Sequence, residues 1–194
     1  MVAKAKLFGG MGKPCLVKTA SFSTEPLKTC PWAGECKTYC YGCKGNFRKY
    51  WRSMLRVWQR NFEALLAGDF VERSVAELLA RRSLKALRWN REGDTFNRAY
   101  RDKVIEVARR TPQVQHYLYT KSVKLWKSAG TLPTNLTVIY SLGGRQDGMI
   151  DLTRDRHARI FEDRRSAERH GYCICDTDET AWRTATNKIG LIAH

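Results

Sequence analysis

Apolar residues recur at helical spacing in the second quarter of the chain and predict two consecutive helices. The first spans 47–67 and carries one apolar stripe, made of Trp51, Leu55, Trp58, Phe62 and Leu65. Gly68 follows this stripe, and Asp69 with Glu72 then forms a capping box for a second helix that runs to about Arg82. The sequence therefore predicts a helical pair before the first long strand.

The rest of the chain alternates short strand-like segments with helical ones. Strands are predicted at 15–20, 84–90, 113–120, 136–142 and 188–193, and helices at 97–110, 123–129 and 153–169. This alternation is typical of a parallel α/β sheet or an incomplete β/α barrel. A full eight-fold barrel takes about 250 residues, more than the 194 present. We therefore predict a single α/β domain over residues 1–194, built as an incomplete β/α barrel with helical crossovers.

Composition and charge narrow the class of partner. Hydrophobic residues make up 43% of the chain, which argues against disorder. The formal net charge is +16, a field that favours nucleic acid, nucleotides or an acidic membrane surface. No apolar run approaches the roughly 20 residues that span a bilayer, and the N-terminus lacks a secretory h-region. We expect a cytoplasmic protein with nucleic acid or a nucleotide as partner and no membrane.

The strongest chemical signal is the cysteine pattern Cys30-x5-Cys36-x3-Cys40-x2-Cys43. Clustered cysteines in a reducing compartment point to metal or redox chemistry rather than disulfides. Thiolates select zinc or iron–sulfur clusters. The gaps are looser than the CxxC pairs of zinc knuckles, which favours an iron–sulfur cluster; a structural zinc held by all four cysteines is the alternative.

Three further cysteines lie outside this loop. Cys173 and Cys175 would face the same side of a short strand, where they could join the metal centre, bind a second one, act as a redox pair or simply be buried. Cys15 is predicted to be an isolated core thiol.

The spacing Cys36-x3-Cys40-x2-Cys43 resembles that of the radical S-adenosylmethionine enzymes. The resemblance implies a [4Fe–4S] cluster held by three cysteines, whose open iron binds S-adenosylmethionine and passes it one electron to give a 5′-deoxyadenosyl radical. It also implies a partial barrel. The sequence has Gly42 where that family has an aromatic residue, and Cys30 could supply a fourth ligand that closes the cluster.

The chain also resembles, over nearly its whole length, a phage protein family known as gene product eighty-eight. The resemblance lies in the segments KTCPWAGECKTYCYG (28–42), LRWNREGD (87–94), HYLYTKS (116–122), NLTVIYSLGG (135–144) and KIGLIAH (188–194). It implies a phage or prophage origin, hence the cytoplasm of a bacterial host, and an intact domain. It implies no activity.

Polar residues stand where predicted strands end, the edge at which parallel α/β folds bind ligands. These residues are Arg88, Asn90, Asp94, Lys121 and Ser141. Arginine and lysine hold phosphate or carboxylate groups, Asp94 could bind a ribose hydroxyl, and Ser141 could donate to a ligand oxygen. Together they predict a cofactor pocket beside the cysteine loop. Each alone could instead be structural, for example through an ion pair between Arg88 and Asp94.

A basic stripe follows the cysteine loop. Arginines repeat every four residues on the predicted helix, and two lysines extend the patch toward the loop: Lys44, Arg48, Lys49, Arg52, Arg56 and Arg60. Few acids intervene before Glu63, so these residues are predicted to contact nucleic-acid phosphates. Solvated charge on an amphipathic helix is the alternative. Trp51 and Trp58 are predicted to belong to the core rather than to stack on bases.

Two functional hypotheses follow. The first is a phage-type iron–sulfur protein, an enzyme of the radical S-adenosylmethionine type that acts on an anionic substrate such as a nucleotide or nucleic acid. The second is a non-enzymatic nucleic-acid-binding or host-modulating protein, in which all four loop cysteines close an iron–sulfur or zinc centre. Cys30 distinguishes them, since only the second requires it as a ligand.

Overall fold

Eight strands form one sheet in the computed structural model, which describes residues 6–11 and 15–193. They are β1 Gly9–Gly10, β2 Thr19–Ser21, β3 Ala86–Trp89, β4 Gln115–Thr120, β5 Leu136–Ser141, β6 His157–Phe161, β7 Cys173–Ile174 and β8 Lys188–Ile192. The spatial order is β1-β2-β3-β4-β5-β6-β8-β7. Only the β1–β2 pair is antiparallel among these strands, so the mostly parallel sheet predicted from the sequence is confirmed.

Helices supply most of the connections between parallel strands. They are α1 Gly45–Lys49, α2 Trp51–Leu66, α3 Phe70–Ala80, α4 Arg98–Arg110, α5 Val123–Lys127, α6 Arg164–Arg169 and α7 Thr180–Arg183. From β2 to β6 the strands lie side by side in chain order, without the reversal that marks a doubly wound sheet. Their carboxyl ends therefore meet at one edge, where the loops that follow the strands are neighbours.

Residues alternate between the two faces of the sheet, and each face has its own cover. Leu87, Trp89 and Leu118 belong to a large core cluster that also includes buried side chains of α2, α3, α4 and α5. On the opposite face a second cluster joins Tyr117 and Ile139 to buried residues of β6, β8 and α7. The second face is covered by α7, the helix that lies between β7 and β8 in the chain.

The structure corrects three predictions of secondary structure. The helix predicted at 153–169 is wrong: residues 157–161 form β6, which pairs with β5 and β8, and only Arg164–Arg169 is helical. Pairing on both sides outweighs the charged composition that favoured a helix. The helix predicted at 47–67 is broken at Tyr50 into α1 and α2. The strand predicted at 15–20 is replaced by the shorter β2 at Thr19–Ser21. The sequence did not predict β1, because its two glycines have no side chains that could show a hydrophobic pattern.

In the described part of the chain, no helix combines the length and the apolar character needed to cross a bilayer.

A buried histidine links β3, β4 and α4. The Trp89 indole N–H donates to His116 Nδ1 at 3.0 Å, so Nε2 carries the proton and donates to Thr111 Oγ1 at 2.9 Å. The Thr111 hydroxyl in turn donates to the carbonyl oxygen of Val107 at 2.7 Å. Burial lowers the pKa of His116 to about 3, so the folded protein holds this ring neutral.

This histidine is expected to make the fold sensitive to mild acid. The pKa of His116 is lower in the folded than in the unfolded chain. The contribution of His116 to the free energy of unfolding is therefore fully present above about pH 6.5 and is lost as the pH falls toward 3. Between pH 7 and pH 5 the free energy of unfolding should fall by about 2 kcal/mol more in the wild type than in His116→Gln. Urea unfolding of both proteins at each pH measures this difference. Equal losses would show that His116 titrates normally.

Candidate functional site

The cysteine loop, residues 30–43, lies across the carboxyl-end edge of the sheet. Ala33 forms an isolated bridge with Gly144, and the Cys36 N–H donates to the carbonyl oxygen of Gly143 at 3.4 Å. The Arg145 N–H donates to the carbonyl oxygen of Trp32 at 2.9 Å. Because residues 143–145 follow β5, the loop extends from the end of β2 to the end of β5.

Two glycines of the loop allow close backbone approach. A Cβ on Gly34 would lie 2.8 Å from the carbonyl oxygen of Gly143, so a side chain there would push the loop off the sheet. A Cβ on Gly42 would lie 3.1 Å from Pro26 Cβ and 3.4 Å from Glu92 Cγ. The position where radical S-adenosylmethionine enzymes carry an aromatic residue is thus tightly packed here. The neighbouring Tyr41 packs on Phe47 with ring centroids 5.8 Å apart.

The base of the loop is fixed to the segment after β3. Thr24 donates its backbone N–H to the carbonyl oxygen of Glu92 at 3.1 Å, and its hydroxyl lies 2.8 Å from that of Thr29. Gly93 adopts a φ of +76°, and a Cβ on it would lie 2.2 Å from Thr24 Oγ1. The loop that begins one residue after Thr29 therefore rests on a contact that only glycine permits at position 93.

The four loop thiols interact with one another. Burial, together with the nearby charges of Asp94, Cys40 and Cys36, raises the pKa of Cys30 to about 12. Burial and Cys43 raise the pKa of Cys40 in the same way. The charges of Cys36 and Cys40 thus act on Cys30, and the charge of Cys43 acts on Cys40.

The thiols are not grouped around a single point. Within residues 6–11 and 15–193, no three His, Cys, Asp or Glu side chains are placed to hold one metal ion. A zinc ion needs four ligand atoms about 2 Å from it, whereas an iron–sulfur cluster separates its cysteine ligands by its own metal and sulfide atoms. The donor set, four neighbouring thiols, suits such a cluster chemically. The metal centre stays a prediction.

Asp94 connects the ends of β3 and β4. It is 4% exposed and accepts hydrogen bonds from Thr95 N–H at 2.7 Å, Thr120 Oγ1 at 2.6 Å and Lys121 N–H at 2.8 Å. The amide of Asn90 lies 3.4 Å from the same carboxylate. Burial raises the pKa of Asp94, and these hydrogen bonds oppose the shift.

Lys121 extends this network to β5. Its ammonium donates to Ser141 Oγ at 2.7 Å and to the carbonyl oxygen of Leu142 at 3.2 Å. Four of the five residues predicted to line a pocket, namely Asn90, Asp94, Lys121 and Ser141, are therefore joined in one hydrogen-bonded chain along the strand ends. Their role in binding a cofactor stays a prediction.

Arg88, the fifth residue, belongs to a different environment. Its guanidinium pairs with Asp178 at 3.2 Å, and Asp178 also accepts from the Tyr117 hydroxyl at 3.1 Å. Burial alone would lower the pKa of Arg88, but Tyr41, Asp178 and Tyr117 around it raise the pKa above its ordinary value. An ion pair between Arg88 and Asp94 is not formed among the described residues. The sequence offered no signal for Asp178, which lies 90 positions from Arg88.

The second cysteine pair lies at edge strand β7, with Cys173 on the strand and Cys175 directly after it. Cys175 Sγ is 3.0 Å from the carbonyl oxygen of Thr177 and 3.8 Å from the Tyr119 hydroxyl, and burial raises the pKa of Cys175 to about 11. Cys173 Sγ lies 3.8 Å from Thr184 Oγ1. These contacts are typical of two partly buried thiols.

The basic stripe runs beside the cysteine loop. Lys44 precedes α1, Arg48 and Lys49 lie on it, and the remaining three residues lie on α2; all but Arg60 are exposed. Arg60 is half-buried and donates to Asn61 Oδ1 at 3.0 Å. Asn61 itself donates to the carbonyl oxygen of Ser23 at 2.9 Å, which docks α2 on the segment after β2. Trp58 is fully buried, as predicted, whereas Trp51 is only partly buried and packs against it.

Comparison with known proteins gives one match. A family model described as Gene product 88 matches residues 3–194, nearly the whole chain. No curated protein matches the sequence. No solved structure matches it either.

Proposed function

The chain belongs to the gene product 88 family, and we propose that it is an iron–sulfur protein of the radical S-adenosylmethionine type, built on an incomplete β/α barrel and acting on an anionic substrate. The observation that carries the proposal is the position of the cysteine loop on the sheet. Its backbone is bonded to Gly143 and Gly144 at the carboxyl-end edge of a parallel sheet, where β/α folds place their chemistry.

Cys36, Cys40 and Cys43 are the ligands in this proposal. They lie within eight residues, on two short 3-10 helices and the turn that joins them, and Cys40 and Cys43 interact directly. When bound, a [4Fe–4S] cluster with one open iron supplies the electron for reductive cleavage of S-adenosylmethionine. Burial and the negative charge of Asp94 raise the pKa of Cys30, which disfavours the thiolate that a metal ligand needs. This shift favours three ligands over four.

The strand-end network would position the anionic part of a ligand. Lys121 presents a half-buried ammonium whose acceptors are the Ser141 hydroxyl and two carbonyl oxygens of residues 141–142. A carboxylate or phosphate can replace such neutral acceptors, because charge-assisted hydrogen bonds are stronger than neutral ones. Asp94 fixes the Lys121 backbone through the N–H bond at 2.8 Å.

One observation favours the second hypothesis, a closed four-cysteine centre without catalysis. Cys30 lies close enough to Cys36 and Cys40 for their charges to raise its pKa, so all four thiols are within reach of one cluster. A closed cluster would leave no iron for S-adenosylmethionine. The protein would then act through its basic surface alone.

Spectroscopy of the metal centre tests the proposal. The protein is purified anaerobically, reduced, and analysed for iron, zinc and acid-labile sulfide. Electron paramagnetic resonance is recorded before and after adding S-adenosylmethionine. We expect iron and sulfide in equal amounts, about four of each per chain, and a spectrum that changes on addition.

Other results would decide against it. Iron and sulfide with an unchanged spectrum and no S-adenosylmethionine cleavage would support the closed centre. Zinc without sulfide would exclude the redox role altogether and leave the four cysteines as a structural site.

A further inference from the structure

Exposed aromatic side chains are concentrated around the cysteine loop. Among the described residues, the large aromatics with substantial exposure are Trp32, Tyr39, Tyr41 and Tyr50, exposed by 38, 38, 51 and 55%. The other exposed large hydrophobics are aliphatic and lie outside residues 28–60, apart from Leu27 at its border. Surface rings are costly to leave in water, so four in nineteen residues mark a binding surface.

Positive charge is concentrated in the same segment. Residues 28–60 contain eight Lys or Arg and a single acid, Glu35, which accounts for +7 of the chain's +16. Within the part of the chain that the structure describes, Lys28 pairs with Glu25, and the other seven cations form no ion pair. By contrast, Arg164 on α6 pairs with Asp176 at 2.5 Å. The charge around the cysteine loop is therefore available to a partner.

Cations and rings are interleaved on this surface. Lys49 Nζ lies 5.4 Å from the Tyr50 ring centroid, and the Arg145 guanidinium lies 5.7 Å from that of Trp32. A ring with a cation beside it offers stacking for a base and a contact for the adjoining phosphate.

We propose that the surface formed by the cysteine loop, α1 and the start of α2 binds single-stranded nucleic acid. In this complex Tyr50 and Trp32 stack on bases, and Arg48 and Arg52 contact phosphates. The proposal rests on the proposed function in that it names the class of its anionic substrate. It places the strand directly over the cysteines.

A single strand suits the surface better than a duplex. The bases of a duplex stack on one another and hide their faces, so exposed rings gain nothing from them. Tyr50 stands at the break between α1 and α2, with φ −104° and ψ 24°, and more than half of this residue is exposed. A regular helix face free of such a projection would be needed to enter a major groove.

An acidic protein is the competing partner. Interfaces between proteins also use tyrosine, tryptophan and arginine, but they are depleted in lysine and their cores are depleted in charged residues. All the exposed large hydrophobic side chains within residues 28–60, among those the structure describes, are aromatic. The absence of exposed aliphatic residues there, among those the structure describes, favours a partner whose apolar surfaces are flat rings.

Fluorescence anisotropy with labelled oligonucleotides tests the inference. A 20-nucleotide single strand, as DNA and as RNA, is compared with its duplex over a range of salt concentrations, using protein of measured iron content. We expect the single strand to bind at least about tenfold more tightly than the duplex. Binding should weaken steeply as salt rises.

Two sets of variants assign the contacts. The double variant Arg48→Ala/Arg52→Ala should reduce the slope of log affinity against log salt by about 1.4, since each phosphate contact on a single strand contributes about 0.7. Arg165→Ala/Arg169→Ala removes the same charge from exposed positions on α6 and should leave the slope unchanged. Tyr50→Ala should weaken binding roughly 5- to 150-fold, and Tyr50→Phe should retain it.

Three results would overturn the inference. These are equal affinity for duplex and single strand, equal loss from the two arginine pairs, or competition by polyglutamate as effective as that by the oligonucleotide. None of them bears on whether a cluster is present. Conversely, tight single-strand binding by protein without iron would leave this inference standing and remove the proposed function.

Discussion

Replacing Cys36, Cys40 or Cys43 by alanine is expected to abolish iron incorporation, whereas Cys30→Ala is expected to keep most of it. The three cysteines lie in one short segment seated on the backbone after β5, and each would hold a separate iron. Removing one leaves an iron without a protein ligand. Iron content should fall from about four atoms per chain to nearly none, while Cys30→Ala should also retain the spectral response to S-adenosylmethionine.

Cys173→Ala provides the matched control for these variants. Cys173 is a partly exposed cysteine on edge strand β7 whose sulfur contacts Thr184, so its loss should leave the iron content unchanged. Iron and acid-labile sulfide are measured on all five proteins, and circular dichroism confirms that each is folded. If Cys30→Ala loses as much iron as Cys40→Ala, the centre is closed by four cysteines and the open-cluster proposal fails.

Secondary structure followed from the sequence wherever a local pattern was strong. The strand at 136–142 was found because a buried parallel strand is apolar almost throughout, and the strands at 84–90 and 113–120 were also predicted. The segment 153–169 misled because its charges suit a helix, and β6 is defined by pairing with β8, about 30 residues later. Pairing between strands so distant in sequence produces no local hydrophobic periodicity from which β6 could be predicted.

The candidate site shows the same division between local and distant signals. The cysteine loop and four strand-end residues were identified from spacing and from the rule that ligands bind at carboxyl ends of parallel strands. Arg88 was placed in that set, but its guanidinium pairs with Asp178 and does not join the hydrogen-bonded chain of the other four residues. The exposed rings at Trp32 and Tyr50 also escaped notice, because exposure of an aromatic residue depends on tertiary packing.

The buried Asp94 brings these distant parts together, and Asp94→Ala is expected to be the most destabilising single change outside the cysteines. It would leave the N–H groups of Thr95 and Lys121 and the hydroxyl of Thr120 without their acceptor. Buried donors that lose a charged partner cost several kcal/mol, so we expect a loss of about 3–5 kcal/mol in the free energy of unfolding. Asp94→Asn keeps the volume and one acceptor and should lose roughly half as much.

Asp151 is a matched control because it has a similar set of hydrogen bonds in an exposed position. Its carboxylate accepts from Thr153 N–H at 2.9 Å, Thr153 Oγ1 at 2.6 Å and Arg154 N–H at 3.2 Å. Water replaces these bonds when the acceptor is removed, so Asp151→Ala should cost less than about 1 kcal/mol. Urea unfolding at pH 7 measures all three variants. Similar costs for Asp94→Ala and Asp151→Ala would mean that Asp94 is hydrated, and that it does not hold the strand ends in place beneath the cysteine loop.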